Sequence, residues 1–226
     1  MKIGVITDIH SNLPALKAVL SEMDNIKPDY IICCGDVVGN GAFPEETVQI
    51  LSRLKNFYCV KGNHDIFATI NLDGFSQEDP RLKLFRWQQK VLSGYSKKYL
   101  AGLPLKFSGE YCGMSLAAAH YPMNEKNRFK DLIYLPNDEQ TKELFKDYSE
   151  DIILFGHEHT GSLQKIGNQY FLNFGTLGNF LEEGMTRFGI LYFENGNFDY
   201  ELKKVPYDEG KAKKSLETIL KILYNR

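Results

Sequence analysis

The stretch that decides the fold is DIILFGHEHTG, residues 151–161. Its four apolar residues at 152–155 form a short continuous run of the kind found in the buried strands of an α/β sheet. The run stops at Gly156, and the next three residues, His157, Glu158 and His159, are all ionisable. Ligands bind beyond the carboxyl ends of the strands in such sheets. A core strand that ends in two imidazoles therefore predicts a functional site at this edge.

Four other segments share this format, an apolar run that ends in Asp, Asn or His. They are KIGVITD (2–8), YIICCGD (30–36), FYCVKGN (57–63) and SLAAAH (115–120). Helical patterns separate the first three: NLPALKAVLSEMDN (12–25) and FPEETVQILSRL (43–54), the latter with Pro44 at a favourable first position. Alternating strands and helices predict an α/β fold with the strands side by side.

The remaining chain predicts an insertion, a hairpin and a final helix within one domain, residues 1–226. Residues 66–110 break the alternation with helical patches, and we interpret them as a helical insertion. Its basic residues predict either a lid that contacts phosphate or a solvated helix face. Asn195-Gly196 is a strong hairpin turn signal between two strands. The apolar spacing of the tail predicts a helix at about 211–225, packed on the domain rather than lying on a membrane.

The bulk composition is that of a soluble globular protein, and it excludes several function classes. The 226 residues are 43% hydrophobic and 25% charged, with a formal net charge of −2. This charge disfavours nucleic acid and anionic membranes as partners. No signal peptide or membrane span is evident, and the four cysteines form no C-x-x-C pair. A cytoplasmic location is the expectation.

Taken together, the residues at the strand ends are of the types that bind metal ions. Placed at one edge of one sheet, they would bring all five histidines of the chain into one crevice with several carboxylates. Imidazole and carboxylate suit first-row divalent ions. With two ions about 3.5–4 Å apart, a carboxylate can bridge them and a trapped hydroxide becomes a nucleophile at neutral pH. The pattern therefore indicates a two-metal site that acts on a phosphoryl centre.

In chain order the blocks read D-x-H, G-D-x-x, G-N-H-D, H and G-H-x-H. This order resembles the calcineurin-like metallophosphoesterase superfamily over about residues 1–195, and within it the small YfcE-like phosphoesterases. The resemblance implies a four-layer α/β/β/α sandwich of two mixed sheets.

The resemblance also implies a role for each site residue. One metal would take Asp8, His10, Asp36 and His159, and the other Asp36, Asn63, His120 and His157, so that Asp36 bridges. His64 would be the catalytic histidine outside the metal shell. The expected cofactors are two divalent ions per chain, manganese first, with Fe, Zn, Co or Ni as alternatives. Asn12 would either contact substrate phosphate or cap the helix that follows it.

Three positions depart from the family or stand outside its pattern. Protein phosphatases of the family have an Asp and an Arg where this chain has Gly39 and Asn40, which argues against a Ser/Thr protein phosphatase. Glu158 lies between two predicted ligands without being one, and we expect it to face solvent or to lie behind the ligands.

Three functions follow as hypotheses. The leading one is a metal-dependent phosphoesterase that hydrolyses phosphodiester or phosphomonoester bonds through a metal-bridging hydroxide. The alternatives are a dinucleoside polyphosphate pyrophosphatase with the same site, and a catalytically weak binding scaffold. The expected partner is a small phosphorylated substrate, nucleotides included. The sequence does not determine the oligomeric state.

Overall fold

A computed structural model of the chain describes residues 1–76, 79–194 and 197–224. Over these residues the elements occur in the order β1 (Lys2–Ile6), α1 (Leu13–Ile26), β2 (Tyr30–Cys33), α2 (Pro44–Leu51), β3 (Phe57–Cys59), α3 (Asn63–Phe67), α4 (Pro80–Val91), α5 (Gly94–Gly102), β4 (Lys106–Tyr111), β5 (Met114–Ala119), α6 (Asp138–Leu144), β6 (Ile152–Leu154), β7 (Ser162–Ile166), β8 (Gln169–Asn173), β9 (Met185–Glu194), β10 (Asn197–Pro206) and α7 (Glu209–Tyr224).

The strands form two five-stranded sheets of mixed direction. The first has the order β10-β9-β1-β2-β3, in which β1, β2 and β3 are parallel. The second has the order β4-β5-β6-β8-β7, in which β5, β6 and β8 are parallel. Parallel neighbours end together, as the pairing of Ile6 with Cys33 and of Ala118 with Leu154 shows. The loops that follow them therefore share one edge of each sheet.

The pattern of buried residues shows how the helices and sheets are layered. Alternate residues of β1, Ile3 and Val5, pack between the sheets against Leu116 and Leu154 of the second sheet. Ile6 faces the other way, into a core lined by α1 and α2. Helix α6 covers the outer face of the second sheet through Leu144. Strands that are buried on both faces must be apolar at every position. This burial explains why the strand segments are continuous apolar runs in the sequence. The predicted α/β/β/α sandwich is confirmed.

The expectation that the five strand ends lie on one sheet is wrong. β1, β2 and β3 belong to the first sheet, whereas β5 and β6 belong to the second. The ends still meet because the two sheets stack face to face and the backbone N–H of His157 donates to the Asp8 carboxylate, 3.1 Å from Oδ2. One crevice forms from two sheet edges.

The predicted insertion contains α4 and α5, and its last residues belong to β4, the edge strand of the second sheet. The final helix α7 packs against α1 and α4. The Asn195-Gly196 turn lies outside the described residues, although β9 and β10 on either side pair antiparallel. The description of the chain as one domain with an insertion stays a prediction. In the part of the chain that the structure describes, no helix is long and apolar enough to cross a bilayer.

Candidate metal centre

The loops at the strand ends are tied together and strained. The N–H of Asp8 donates to the Gly35 carbonyl (3.0 Å), and that of His10 to the Asp36 carbonyl (2.9 Å). Asp8, His10, Asp36 and His157 all have φ between 49° and 69°. Such a conformation costs a non-glycine residue of order 1–3 kcal/mol and is concentrated at functional sites. The backbone is therefore bent where it presents the predicted ligands.

Asp8, His10 and His159 form one cluster of possible metal ligands. Nε2 of His10 lies 3.1 Å from Nε2 of His159, and Oδ1 of Asp8 lies 3.4 Å from the same His159 atom. Asp8 and His10 are fully buried. Three ligand atoms therefore converge on one point at the junction of the two sheets.

Asp36, His120 and His157 form a second cluster. Nε2 of His120 lies 3.5 Å from Oδ2 of Asp36, 3.2 Å from Nδ1 of His157 and 2.9 Å from Oδ1 of Asn63. Oδ2 of Asp36 is also 3.8 Å from Nε2 of His10. Asp36 thus lies within 3.8 Å of imidazole nitrogens in both clusters.

The protonation of His120 shows that this donor set fits a cation. Its Nδ1 lies 2.8 Å from the Cys34 carbonyl oxygen, which can only accept, so Nδ1 carries the proton when the ring is neutral. Burial lowers the pKa of His120 and keeps the ring neutral. The lone pair on Nε2 then faces the Asp36 carboxylate oxygen. Two electron-rich atoms directed at one point are what a divalent metal ion binds.

The imidazoles of His10 and His157 are also held uncharged. Burial, with the neighbouring His64, lowers the pKa of His10 well below its usual value. Burial and the charge of His120 lower the pKa of His157 to about 4. Burial raises the pKa of Asp36 well above normal, and the nearby Asp8 carboxylate adds to this rise. A bound cation would relieve the repulsion between these two carboxylates.

His64 stands next to the ligands at the beginning of α3. Its N–H donates to Oδ1 of Asp36 (2.8 Å), and its Nε2 lies 3.9 Å from Oδ2 of the same carboxylate. Its ring packs edge-on against His10, with 4.6 Å between ring centroids. Burial, followed by the charge of His120, lowers its pKa to about 3. His10, Asp36 and His64 also lie close enough to share an ion.

Asn12 has a structural role. Its Oδ1 accepts from the N–H of Ala15 (3.2 Å), which caps α1, and its Nδ2 donates to the Gly178 carbonyl (2.8 Å). The side-chain amide is 3% exposed and both its ends have partners. The capping interpretation agrees with this geometry, and the contact with substrate stays a prediction.

Glu158 does not face solvent, so that expectation is wrong. The residue is 1% exposed, and its carboxylate accepts from the N–H groups of Thr160 (3.2 Å) and Gly161 (2.8 Å). A buried carboxylate needs such donors. Glu158 therefore lies behind the ligands and shapes the turn after them, which was the other expectation.

Sequence reasoning missed several residues that support the ligands. Nδ2 of Asn179 lies 2.7 Å from Nδ1 of His159, and the Thr7 hydroxyl donates to Oδ2 of Asp8 (2.6 Å). The centroid of the Phe129 ring lies 5.4 Å from that of the His120 ring and 6.2 Å from that of the His157 ring, with which it is stacked. Asn179 and Phe129 lie in loops with no periodic signal, and only their long-range contacts reveal them.

The fold and the site together define a metallophosphoesterase, and comparison with known proteins agrees. The sequence model described as "Calcineurin-like phosphoesterase" matches residues 1–161. The chain is 32% identical over 242 residues to an uncharacterized protein of Methanocaldococcus jannaschii, covering 97% of this chain and 92% of that one. The chain belongs to the calcineurin-like phosphoesterase family.

Two solved structures show the same fold. A metallophosphoesterase from Sphaerobacter thermophilus superposes with a TM-score of 0.75 at 23% identity, covering 97% of this chain and 94% of that one. The YfcE phosphoesterase of E. coli superposes with a TM-score of 0.52 at 17% identity, covering 92% and 100%. The resemblance stated from the sequence is confirmed, and so is the enzyme class, a metal-dependent phosphoester hydrolase.

Proposed function

We propose that this protein hydrolyses phosphomonoesters or phosphodiesters of small molecules, nucleotides among them, with two divalent cations bound per chain. The observation that carries the proposal is the double cluster around Asp36. Two pairs of imidazole nitrogens, 3.1 Å and 3.2 Å apart, are each joined to a buried carboxylate, and Asp36 reaches both pairs.

The clusters support the ligand sets that the family resemblance implies. One cation would be held by Asp8, His10, Asp36 and His159, and the other by Asp36, Asn63, His120 and His157. Two such cations clamp phosphoryl oxygens, neutralise charge that develops on them and make a water nucleophilic at neutral pH. Manganese is the first candidate, because Asn63 and the carboxylates supply oxygen ligands beside the imidazoles.

The His64 side chain supplies the remaining part of the proposed reaction. The bond between His64 N–H and Asp36 holds the histidine backbone at the rim of the site (2.8 Å). With its pKa lowered by burial, the His64 ring is neutral and offers one N–H as a hydrogen-bond donor. Such a donor can stabilise the phosphoryl group or assist the departing oxygen. The intact set of ligands and His64 favours an enzyme over a binding scaffold.

The test is a screen of metal-reconstituted protein. Purified protein is stripped with a chelator, loaded with Mn²⁺, and assayed against phosphomonoesters, cyclic nucleotides and dinucleoside polyphosphates. Asp29→Asn, at an exposed position on the opposite end of the sheet, serves as the matched control for Asp36→Asn. We expect turnover in the wild type and in the control, with metal content measured by elemental analysis. Turnover by protein without bound metal, or none on any substrate with both metals bound, contradicts the proposal.

A further inference from the structure

Helix α4 contacts His64 and Gly39 through two residues one turn apart. The Phe85 ring lies 5.0 Å from the His64 ring, measured between centroids. The amide of Gln88 is completely buried, and its Nε2 donates to the carbonyl of Gly39. Because residues three apart share one face of a helix, α4 presents both side chains to the same place.

Gly39 connects Gln88 to the two histidines. Its backbone has φ +145°, and a methyl group built there would lie 2.7 Å from Nδ1 of His64 and clash with Nδ1 of His10. The main chain at Gly39 is thus in contact with the Nδ1 edges of both rings, as only glycine permits. Any movement of this peptide changes the room available to His64.

Three polar atoms around Gly39 point to a shared purpose. Nδ1 of His10, Nδ1 of His64 and Oε1 of Gln88 are buried, and none of them has a hydrogen-bond partner among the described residues. Burying such a group without a partner is energetically unfavourable. An amide oxygen is an acceptor, and an imidazole Nδ1–H is a donor that needs one. Oε1 of Gln88 makes no hydrogen bond to either ring, so the link from Gln88 to His64 runs through the Gly39 peptide.

The docking of α4 does not depend on Gln88. Gln89 donates to the carbonyls of Phe67 (2.8 Å) and Ile70 (2.9 Å), and Arg86 donates to that of Ser76 (3.0 Å). These bonds join α4 to the segment that follows α3. Gln88 is directed instead at the loop between β2 and α2.

We propose that Gln88 is a positioning residue for His64. By holding the Gly39 peptide it fixes the orientation of the His64 ring, while Phe85 covers the ring. The inference rests on the proposed function, since it assigns α4 a part in the same hydrolysis. A donor displaced by about 1 Å can lose on the order of a hundredfold in rate. Gln88 would affect the reaction without touching the substrate.

The experiment compares Gln88→Met with Gln89→Met, two isosteric changes at neighbouring positions of one helix. We expect Gln88→Met to lower kcat on an alkyl phosphoester by about ten- to a hundredfold, with KM and metal content unchanged. Gln89→Met should keep wild-type kcat. In the His64→Ala background, Gln88→Met should cause no further loss, because the residue acts through that ring.

A second readout is independent of activity. With only five histidines, their ring ¹⁵N resonances can be assigned by NMR in metal-free protein. Gln88→Met should shift the His64 ring signals, because the ring changes its orientation, and Gln89→Met should not. If Gln88→Met proves too unstable, Gln88→Ala is measured in its place.

Unchanged His64 resonances in a folded Gln88 variant would overturn the inference. So would equal losses of kcat in both variants, because α4 would then act only by its packing. If the wild type hydrolyses no phosphoester, the proposed function fails, and the NMR comparison still decides whether Gln88 orients His64.

Discussion

The ligand loops and helix α4 meet at His64, but they are held by different kinds of contact. The loops after β1 and β2 are joined backbone to backbone, as in the bond from His10 N–H to the Asp36 carbonyl (2.9 Å). Helix α4 is docked by side chains, such as Gln89, that donate to main-chain carbonyls. Backbone bonds do not depend on the identity of the side chains, whereas side-chain bonds do. The side chains of the loops are the candidate metal ligands, so we expect changes there to abolish the chemistry. Changes on the face of α4 that meets His64 and Gly39 should modulate it.

The largest expected effect is that of Asp36→Asn. The carboxylate is within 3.8 Å of both His10 and His120, so its loss removes a ligand from both clusters. Turnover should fall by more than about a hundredfold, since even residues behind metal ligands cost 10- to 100-fold. Elemental analysis should show lower occupancy at both sites. Full metal occupancy with wild-type turnover would show that neither metal site depends on Asp36.

His64→Ala should separate the catalytic ring from the ligands. We expect both metals to stay bound and activity on alkyl or nucleoside phosphates to fall by roughly 10²–10⁴-fold if proton donation matters. The loss on p-nitrophenyl esters should be much smaller, because that leaving group needs no proton. Steady-state kinetics on both substrates measure this.

Two other outcomes for His64→Ala would change the role assigned to this residue. An equal loss on both substrates, with the metals retained, would assign His64 to charge stabilisation in the transition state. Wild-type activity on both would exclude it from the reaction.

Removal of metal should destabilise the ligand loops and hence the whole fold. The Asp8 and Asp36 carboxylates are buried close together, and cations that bind only the folded state stabilise it by mass action. At a Mn²⁺ concentration 100 times Kd, one site adds about 2.7 kcal/mol, or roughly 5–10 °C in Tm. Thermal melts with chelator and with excess Mn²⁺ test this. Equal Tm values at confirmed occupancy would show that the loops need no cation.

The smallest effect is expected at the outer side of α4. Nζ of Lys83 lies 5.3 Å above the Tyr224 ring, so this lysine packs against α7. Lys83→Ala should cost under about 1 kcal/mol of the free energy of unfolding, the size of an exposed cation–π contact. kcat and KM should be unchanged. A raised KM would instead support the lid that the basic residues of this region suggested in the sequence.

Much of the site was predictable because it is local. Most of the candidate ligands follow a buried parallel strand whose apolar run stops at a glycine or polar residue, so Asp8, Asp36 and His157 are visible as strand ends. The cap at Asn12 was visible as an alternative for the same reason. Local sequence order carries this information, because a strand and the residue after it are covalently joined.

Other features required contacts between distant segments. The backbone of Glu158 is held by Asn173, whose Nδ2 donates to the Glu158 carbonyl (2.6 Å), and the support of His159 by Asn179 joins residues twenty apart. The position of Gln88 against Gly39 joins segments separated by 49 residues. None of these pairs has a spacing that a helix or strand period would reveal.

The sequence by itself determined the α/β class, the succession of strands along the chain and the identity of the clustered Asp, Asn and His residues. Only the tertiary structure decided that these residues come from two sheets, that Asp36 reaches both imidazole pairs, and that α4 closes the pocket of His64. The physical reason is that secondary structure follows the period of apolar residues along the chain. The site depends instead on how two buried faces stack and which side chains that stacking brings within a few ångströms.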